Sequence, residues 1–101
     1  MINATNKNGD TALILANGHT TTAEKLIQAK ANVNHANNYG TALHCAAYNG
    51  HAAVADLLLK ANANPAAVNN DRDTPAQDAE QRGHPELAQR LRQAEASAAE
   101  K

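Results

Sequence analysis

The chain has a recurring pattern in which a Gly-His dipeptide is followed by apolar positions four residues apart. Gly-His occurs at residues 18–19, 50–51 and 83–84, at spacings of 32 and 33 residues. When these stretches are superposed, one column contains Thr22, Val54 and Leu87, and the next contains Leu26, Leu58 and Leu91. Positions four residues apart lie on one face of an α-helix. The pattern therefore predicts a helix after each Gly-His within a repeating unit.

A second, shorter helix is predicted before each Gly-His dipeptide. Thr-Ala-Leu at residues 11–13 and 41–43, and Thr-Pro-Ala at 74–76, precede the three dipeptides. Threonine is a favourable N-cap, and proline is accepted at the first helical position. The following glycine can take the left-handed conformation that ends a helix. The linkers around residues 32–40 and 64–73 are rich in turn formers, so each unit is predicted to be a helix pair with a protruding turn.

Composition favours short helices that pack closely together. The 101 residues include 24 alanines but only 15 Leu, Ile or Val, and they contain no Phe or Trp. Alanine has the highest helix propensity, and its small side chain allows two backbones to approach closely. A sheet would need more β-branched and aromatic residues than the chain contains. We therefore expect one all-α domain spanning residues 1–101.

Charge and cysteine content argue against several classes of function. Nine Lys and Arg against ten Asp and Glu give a net charge of −1, so we expect no nucleic-acid partner. No run of large aliphatic residues exceeds three, as at 57–59, which is far below the ~20 residues of a membrane span, so we expect no membrane association. Cys45 is the single cysteine, and the first ten residues lack the features of a signal peptide. These observations predict a reducing, cytoplasmic setting.

Several residues of the second unit occur together in the pattern of a known family. They are Thr-Ala-Leu-His at residues 41–44, Ala-Ala at 46–47, Gly-His at 50–51 and Leu-Leu-Leu at 57–59. In these positions the chain resembles the ankyrin repeat family. The resemblance implies a solenoid of helix-turn-helix units, each with an inner helix, an outer helix and a β-turn finger. It places the repeats at about 2–33, 34–66 and 67–95, followed by a polar tail at 96–101.

The chain departs from this pattern at a few positions. Seven residues separate Thr11 from Gly18, against nine in the other two repeats, so the first inner helix is expected to be shorter. The second finger is one residue short. Arg72 stands where the other fingers have glycine, and Asn62 and Lys30 stand where the family usually has glycine after the outer helix. Each would be strained if its position requires a positive φ, although asparagine tolerates one best.

Candidate chemistry is weak in this sequence. The histidines at 19, 51 and 84 are equivalent positions of successive repeats, about 10 Å apart if the helices pack, which is too far to share one metal ion. Ser97 is the only serine and has no nearby histidine, while Cys45 on an alanine-rich helix is typical of a packing residue. Asp78, near Glu80 and Glu86, is expected on a solvated face. The sequence predicts no enzyme, no cofactor and no metal, the alternative being an enzyme with a His/Cys metal site.

The resemblance implies that partners dock on the finger tips and on the exposed side of the inner helices. The positions chosen on this basis are Lys7, Asn8, Asn38, Tyr39, Cys45, Tyr48, Asn49, Asp71, Arg72, Asp78, Gln81 and Arg82. The two tyrosines are the only aromatic residues, and tyrosine is enriched at interface hot spots. The alternative for Tyr48 is that it only covers alanine-rich helix.

The function expected from these features is that of a protein-protein interaction module or adaptor. Its protein partner would bind to the finger tips and the concave face of the inner helices. The alternative is a structural segment of a longer array, or a repeat protein that self-associates without a separate partner. We expect a monomer, with self-association as the competing state.

Overall fold

A computed structural model describes residue 5 and residues 11–16, 18–37 and 39–99 of the chain. Within these ranges the chain forms six α-helices and no strand, apart from an isolated β-bridge between Asn37 and Gly40. The helices are α1 (Ala12–Leu15), α2 (Thr20–Gln28), α3 (Ala42–Asn49), α4 (Ala52–Lys60), α5 (Pro75–Gln81) and α6 (Pro85–Ala99). The all-α prediction is confirmed. Helix α6 runs through most of the segment that the sequence assigned to a polar tail.

The helices are arranged as three stacked pairs. The inner helices α1, α3 and α5 contact one another in sequence order, and each contacts the outer helix that follows it. The outer helices α2 and α4 also pack together. This arrangement is the helical solenoid that the resemblance implies. No helix in the described ranges is both long enough and apolar enough to cross a bilayer.

A threonine caps the N-terminus of every inner helix. The cap residues are Thr11, Thr41 and Thr74, all in extended conformation, and each side-chain oxygen accepts a hydrogen bond from the backbone N–H three residues later. In α3 and α5 the residue at that third position returns a bond, so both helices begin with a full capping box. Pro75 occupies the first position of α5, where its missing N–H costs nothing.

The Gly-His dipeptides join successive repeats. Gly18 and Gly50 have positive φ angles of 83° and 74°, and a Cβ on either would lie only 2.8 Å or 2.6 Å from a ring atom of the next repeat's histidine. Those histidines are His51 and His84. Each glycine therefore provides both the left-handed turn and the space for a histidine ring.

The first inner helix is shortened, as the spacing predicts. Helix α1 has four residues, whereas α3 has eight and α5 has seven. It ends at Leu15, with Ala16 as its C-cap, and the turn to α2 follows through Gly18. The helix is therefore shortened at its C-terminal end, and its threonine N-cap is retained.

Asn34 connects the linker that precedes α3 to the linker that follows α4. The Asn34 side-chain oxygen accepts a bond of 2.7 Å from the backbone N–H of Asn64, and its amide donates to the carbonyl of Asn62 at 3.5 Å. One side chain therefore satisfies a donor and an acceptor of the next linker. These backbone groups would otherwise be left to solvent.

Small side chains make up most of the core. Alanines outnumber the larger aliphatic residues among the buried apolar positions, and the largest fully buried apolar side chains are Leu43, Leu58 and Leu91. Leu26, their counterpart in the first repeat, is only half-buried. The core of the third repeat is therefore more completely buried than the core of the first, although both are terminal repeats. Its leucine lies on α6, which packs closely against α5.

Polar residues occupy the outer surface of the third repeat. Arg92, which replaces the aliphatic residues of the other repeats, is exposed and pairs with Glu80. Arg90 pairs with Asp56 on α4 at 3.1 Å. An exposed polar side chain at this position is typical of the last repeat of a stack, which faces water on its outer side. Arg90 instead makes a half-exposed link between two outer helices, a type of pair that contributes little to stability.

Among the residues that the structure describes, three that are not glycine adopt left-handed backbone conformations. They are Lys30, Asn62 and Arg72, with φ angles of 72°, 71° and 63°. All three are positions at which the sequence replaces an expected glycine. The strain anticipated for lysine and arginine is therefore present in the fold.

Replacing Lys30 with glycine should stabilise the protein by about 1 kcal/mol, because glycine adopts this conformation without a Cβ clash. Asn62→Gly should be neutral or slightly stabilising, and Asn62→Val should destabilise by about 1 kcal/mol or more. Urea denaturation followed by circular dichroism measures each change. Lys30→Ala is the control, since alanine keeps the strain. An equal gain from alanine and glycine would show that the lysine side chain, and not the backbone angle, limits stability.

Truncating the core leucines should test the stack. Leu58→Ala and Leu91→Ala are each expected to cost about 2–5 kcal/mol, and half-buried Leu26→Ala should cost less. The exposed Val68→Ala serves as control and should change stability by less than about 0.5 kcal/mol. Denaturant midpoints provide the comparison. Equal losses at the three leucines would contradict this order.

Candidate functional site: the groove between the fingers and the inner helices

The second finger is a tight hairpin that exposes a tyrosine. Asn37 and Gly40 exchange two backbone hydrogen bonds, of 3.0 Å and 3.1 Å. The Asn37 side-chain oxygen also accepts a 2.8 Å bond from the backbone N–H of Tyr39, which is an Asx turn. Tyr39 is consequently held at the tip, with 78% of its surface exposed.

The third finger is one residue longer and is built around another asparagine. The Asn69 backbone N–H donates to the carbonyl of Asp73 at 3.1 Å, and its carbonyl accepts from Arg72 at 2.9 Å. Its side-chain oxygen accepts from the N–H groups of Asp71 and Asp73 at 2.9 Å and 3.1 Å. The left-handed residue at the end of this loop is Arg72, where a three-residue hairpin loop normally has glycine. The predicted difference in length between the two fingers is confirmed.

His44 connects the inner helix of repeat two to the base of the third finger. The backbone N–H of Thr41 donates to its Nδ1 at 3.0 Å, so Nδ1 is the acceptor and Nε2 carries the proton. Nε2 then donates to the carbonyl oxygen of Asp73 at 2.9 Å. His44 therefore has a structural role, since it bonds the base of the third finger to the start of α3.

A groove of about 780 Å³ lies between these fingers and the exposed side of α3 and α5. Seven of the sequence-predicted positions line it: Tyr39, Cys45, Tyr48, Asn49, Asp71, Asp78 and Gln81. Arg72 and Arg82 are described but are not among its lining residues. Lys7, Asn8 and Asn38 fall outside the described residues.

Five other residues line the groove: Asn37, His44, Asn69, Asn70 and Asp73. Asn37, Asn70 and Asp73 belong to the finger tips that the resemblance implies as docking positions, whereas His44 and Asn69 were not anticipated as part of the surface. The signal for Asn69 was available, because it precedes Asp71 by the same two residues that separate Asn37 from Tyr39. In both fingers, the asparagine two residues before the tip forms an Asx turn and also lines the groove.

Tyr48 has an arginine against its ring. The guanidinium carbon of Arg82 lies 4.4 Å from the ring centroid, a cation–π contact between α3 and the C-cap of α5. Nevertheless 48% of Tyr48 remains exposed. The ring therefore covers some of the helix surface, as the packing alternative requires, and also presents open area to the groove.

Asp78 is buried, with 7% of its surface exposed, so the expectation that it lies on a solvated face is wrong. The third finger covers it, and the Asn69 amide donates to its Oδ2 at 3.4 Å. Burial raises the pKa of the Asp78 carboxyl, and the Asp73 and Asp71 carboxylates raise this pKa further. The neighbouring His44 and the hydrogen bond from Asn69 oppose the rise. An acidic group with these neighbours is costly to ionise.

The metal-ligating residue types do not converge. In the part of the chain that the structure describes, no group of three or more His, Cys, Asp or Glu side chains is placed to hold a metal ion. His44 has both ring nitrogens in hydrogen bonds, and His51 and His84 pack on glycines.

Asp78→Asn should stabilise the protein at neutral pH. A carboxyl with a raised folded-state pKa contributes most to stability when it is protonated, and this contribution is lost as pH rises through that pKa. The neutral amide removes the cost of ionisation and can still accept from Asn69. The advantage over the wild type should shrink as pH falls toward the ordinary aspartate range, near 4. Urea midpoints between pH 3 and pH 7 measure it, with exposed Glu24→Gln as control. A constant difference across this range would contradict the assignment.

Comparison with known sequences agrees with the repeat geometry. A family model described as ankyrin repeats in three copies matches residues 1–69 and 17–101, and so covers the whole chain. A comparison with curated proteins finds no match. The stacked helix pairs, the capped inner helices and the finger turns agree with this assignment. The chain therefore belongs to the ankyrin repeat family.

Proposed function

We propose that this chain binds a protein partner in the groove between its fingers and inner helices. Ankyrin repeats are generally protein-interaction modules and are typically non-enzymatic. The observation that carries the proposal is the position of the two tyrosines. They are the only aromatic residues of the sequence, both line one groove, and both are exposed.

Stacking and capping do not account for Tyr39, and they account only in part for Tyr48, which contacts Arg82 and is still 48% exposed. The apolar contacts between repeats are made by alanine and aliphatic residues, and Tyr39 lies at a finger tip away from them. Exposing large apolar rings in water is unfavourable unless something covers them. Tyrosine combines a rigid apolar ring with a hydroxyl, so it can anchor a partner at a low entropic cost.

Carboxylates at the edge of the groove favour a partner that carries positive charge. Asp71 is exposed and Asp73 is half-exposed on the third finger, and both line the groove. A partner with a basic rim would complement them. Such rim charges increase the rate of association at low salt more than they increase affinity. Asp78 is not part of this exposed margin because the finger buries it.

The proposed function involves no catalysis, cofactor or metal. We place the chain in the cytoplasm as a monomer that binds neither nucleic acid nor membrane. Near-neutral net charge and the lack of a cationic stripe support the exclusion of nucleic acid. A single, half-buried cysteine supports a reducing compartment.

Self-association, or a place in a longer array, is the second candidate. One observation favours it: Gly83 has the same positive φ as Gly18, yet no described atom lies within 4 Å of a Cβ built on it. A histidine from another repeat could occupy that space. Size-exclusion chromatography with light scattering separates the candidates. A mass that rises with concentration supports self-association, and a constant monomer mass supports the primary proposal.

Affinity capture tests the proposed surface directly. The immobilised wild type, Tyr39→Ala/Tyr48→Ala and Lys60→Ala are compared by quantitative mass spectrometry. Lys60 is exposed on an outer helix and provides the matched control. Loss of interface tyrosines should weaken a direct partner at least about tenfold, because anchors of this type contribute more than 1 kcal/mol each. Binding to the purified partner is then measured by calorimetry. If Lys60→Ala loses the partner and the tyrosine variant retains it, the wrong face has been assigned.

A further inference from the structure

We infer that Asn49 is a site of spontaneous deamidation, and that the folded end of helix α3 protects it until that end opens. The inference goes beyond the proposed function, because it concerns a covalent change in the chain itself. It starts from Asn49 and Gly50, which are the last residue of α3 and its C-cap. Asn49 is exposed and lines the groove, so water and solvent base reach it.

Deamidation of an Asn-Gly pair is an intramolecular reaction. The backbone nitrogen of Gly50 loses its proton to solvent base and attacks the side-chain carbonyl carbon of Asn49. The side-chain nitrogen takes up a proton and leaves as ammonia, and a cyclic succinimide remains. Water then opens the ring at either carbonyl, so the products are aspartate and isoaspartate. Glycine is the following residue that obstructs the attack least, because it has no Cβ.

Stacking of the repeats fixes glycine at the reactive position. Gly50 has a φ angle of 74°, and a Cβ on it would lie 2.6 Å from Cε1 of the His84 ring. Any other residue would therefore be strained and would displace that ring. The reactive pair is thus a consequence of packing between repeats two and three. The sequence has two more Asn-Gly pairs, at residues 8–9 and 17–18, whose asparagines lie outside the described residues.

Two hydrogen bonds hold the reacting atoms apart in the folded chain. The Asn49 side-chain amide donates to the carbonyl oxygen of Cys45 at 3.0 Å, one turn back along α3. Helical side chains point toward the N-terminus of their helix, so this contact keeps the Asn49 side chain over the preceding turn. The Gly50 N–H donates to the carbonyl oxygen of Ala47 at 3.2 Å, so its nitrogen is also engaged. Attack on Asn49 requires both bonds to open.

The last turn of α3 opens more readily than its buried middle, because helix ends have fewer intrahelical hydrogen bonds. The reaction passes through this open state. Its rate in the folded chain is therefore the rate in the unfolded chain multiplied by the fraction of molecules in which the end is open. A protection of about tenfold corresponds to an opening free energy of about 1.4 kcal/mol.

The products change both the helix end and the groove. A carboxylate at residue 49 cannot donate to the Cys45 carbonyl, and it is repelled by the partial negative charge at a helix C-terminus. Isoaspartate also lengthens the main chain before Gly50, which displaces this glycine from the His84 ring. In either product the groove gains a negative charge beside Tyr48. Deamidation should therefore loosen the end of α3 and make the groove more acidic.

Peptide mapping by mass spectrometry tests the protection. The wild type is incubated in mildly alkaline buffer, once folded and once unfolded in guanidinium chloride. Trypsin then releases peptide 31–60, which contains Asn49, and peptide 8–25, which contains the other two Asn-Gly pairs. In the unfolded chain the three pairs should react at similar rates. In the folded chain Asn49 should react at least about tenfold more slowly than in the unfolded chain. Asn49→Gln is the control and should give no product at residue 49, because glutamine would need a larger ring.

Hydrogen exchange of the Gly50 amide provides an independent measure of the opening, since exchange also requires the bond to Ala47 to break. The Gly50 amide should be protected from exchange to a similar degree as Asn49 is protected from deamidation. Equal deamidation rates in the folded and unfolded chain would overturn the inference. So would a lack of reaction at Asn49 in the unfolded chain, or a protected Asn49 beside an unprotected Gly50 amide.

The effect of the product is measured on Asn49→Asp. Its urea midpoint should be lower than that of the wild type, because the bond to Cys45 is lost at the helix end. Gln89→Glu adds the same charge at an exposed position of α6 and is the matched control, with an unchanged midpoint. If Asn49→Asp is as stable as the wild type, the helix does not hold the Asn49 amide, and the protection inferred from that contact is wrong.

Discussion

Close approach of neighbouring inner helices is the constraint on which this fold depends. Helices α3 and α5 bury Ala46, Ala47, Ala76 and Ala79 with almost no exposed surface, and they contact each other directly. Alanine allows this approach but supplies little hydrophobic energy per residue. The chain contains no Phe or Trp to compensate. Its stability therefore comes from many short-range contacts repeated from one unit to the next, as in other repeat proteins.

The same close approach builds the groove. Because α3 and α5 lie side by side, the imidazole of His44 reaches the carbonyl oxygen of Asp73 and fixes the third finger over the inner helices. The finger then buries Asp78, which raises the pKa of that carboxyl. The surface proposed to bind a partner thus follows from packing between two repeats. Neither repeat could form it alone.

The sequence predicted the fold well and the residues that line the groove in part. The repeat period, the capping threonines and the short α1 could be predicted, because each depends on local residue types. Positive φ at Lys30, Asn62 and Arg72 followed from missing glycines. Burial of Asp78 was not predictable, since it depends on a finger about five residues away in sequence folding back over α5. The full burial of Leu91 was not predictable either, because it depends on how α6 packs against α5.

The location of the tyrosines has a consequence for spectroscopy. Tyr39 and Tyr48 are the only aromatic residues in the chain, and both belong to repeat two and line the groove. Intrinsic fluorescence and near-ultraviolet absorption therefore originate from this one region of the molecule. Unravelling of the first repeat would leave these signals largely unchanged while helical content falls. A ligand that covers the rings would have the opposite effect. The protein therefore contains its own optical reporter of groove occupancy, separate from the reporter of its overall folding.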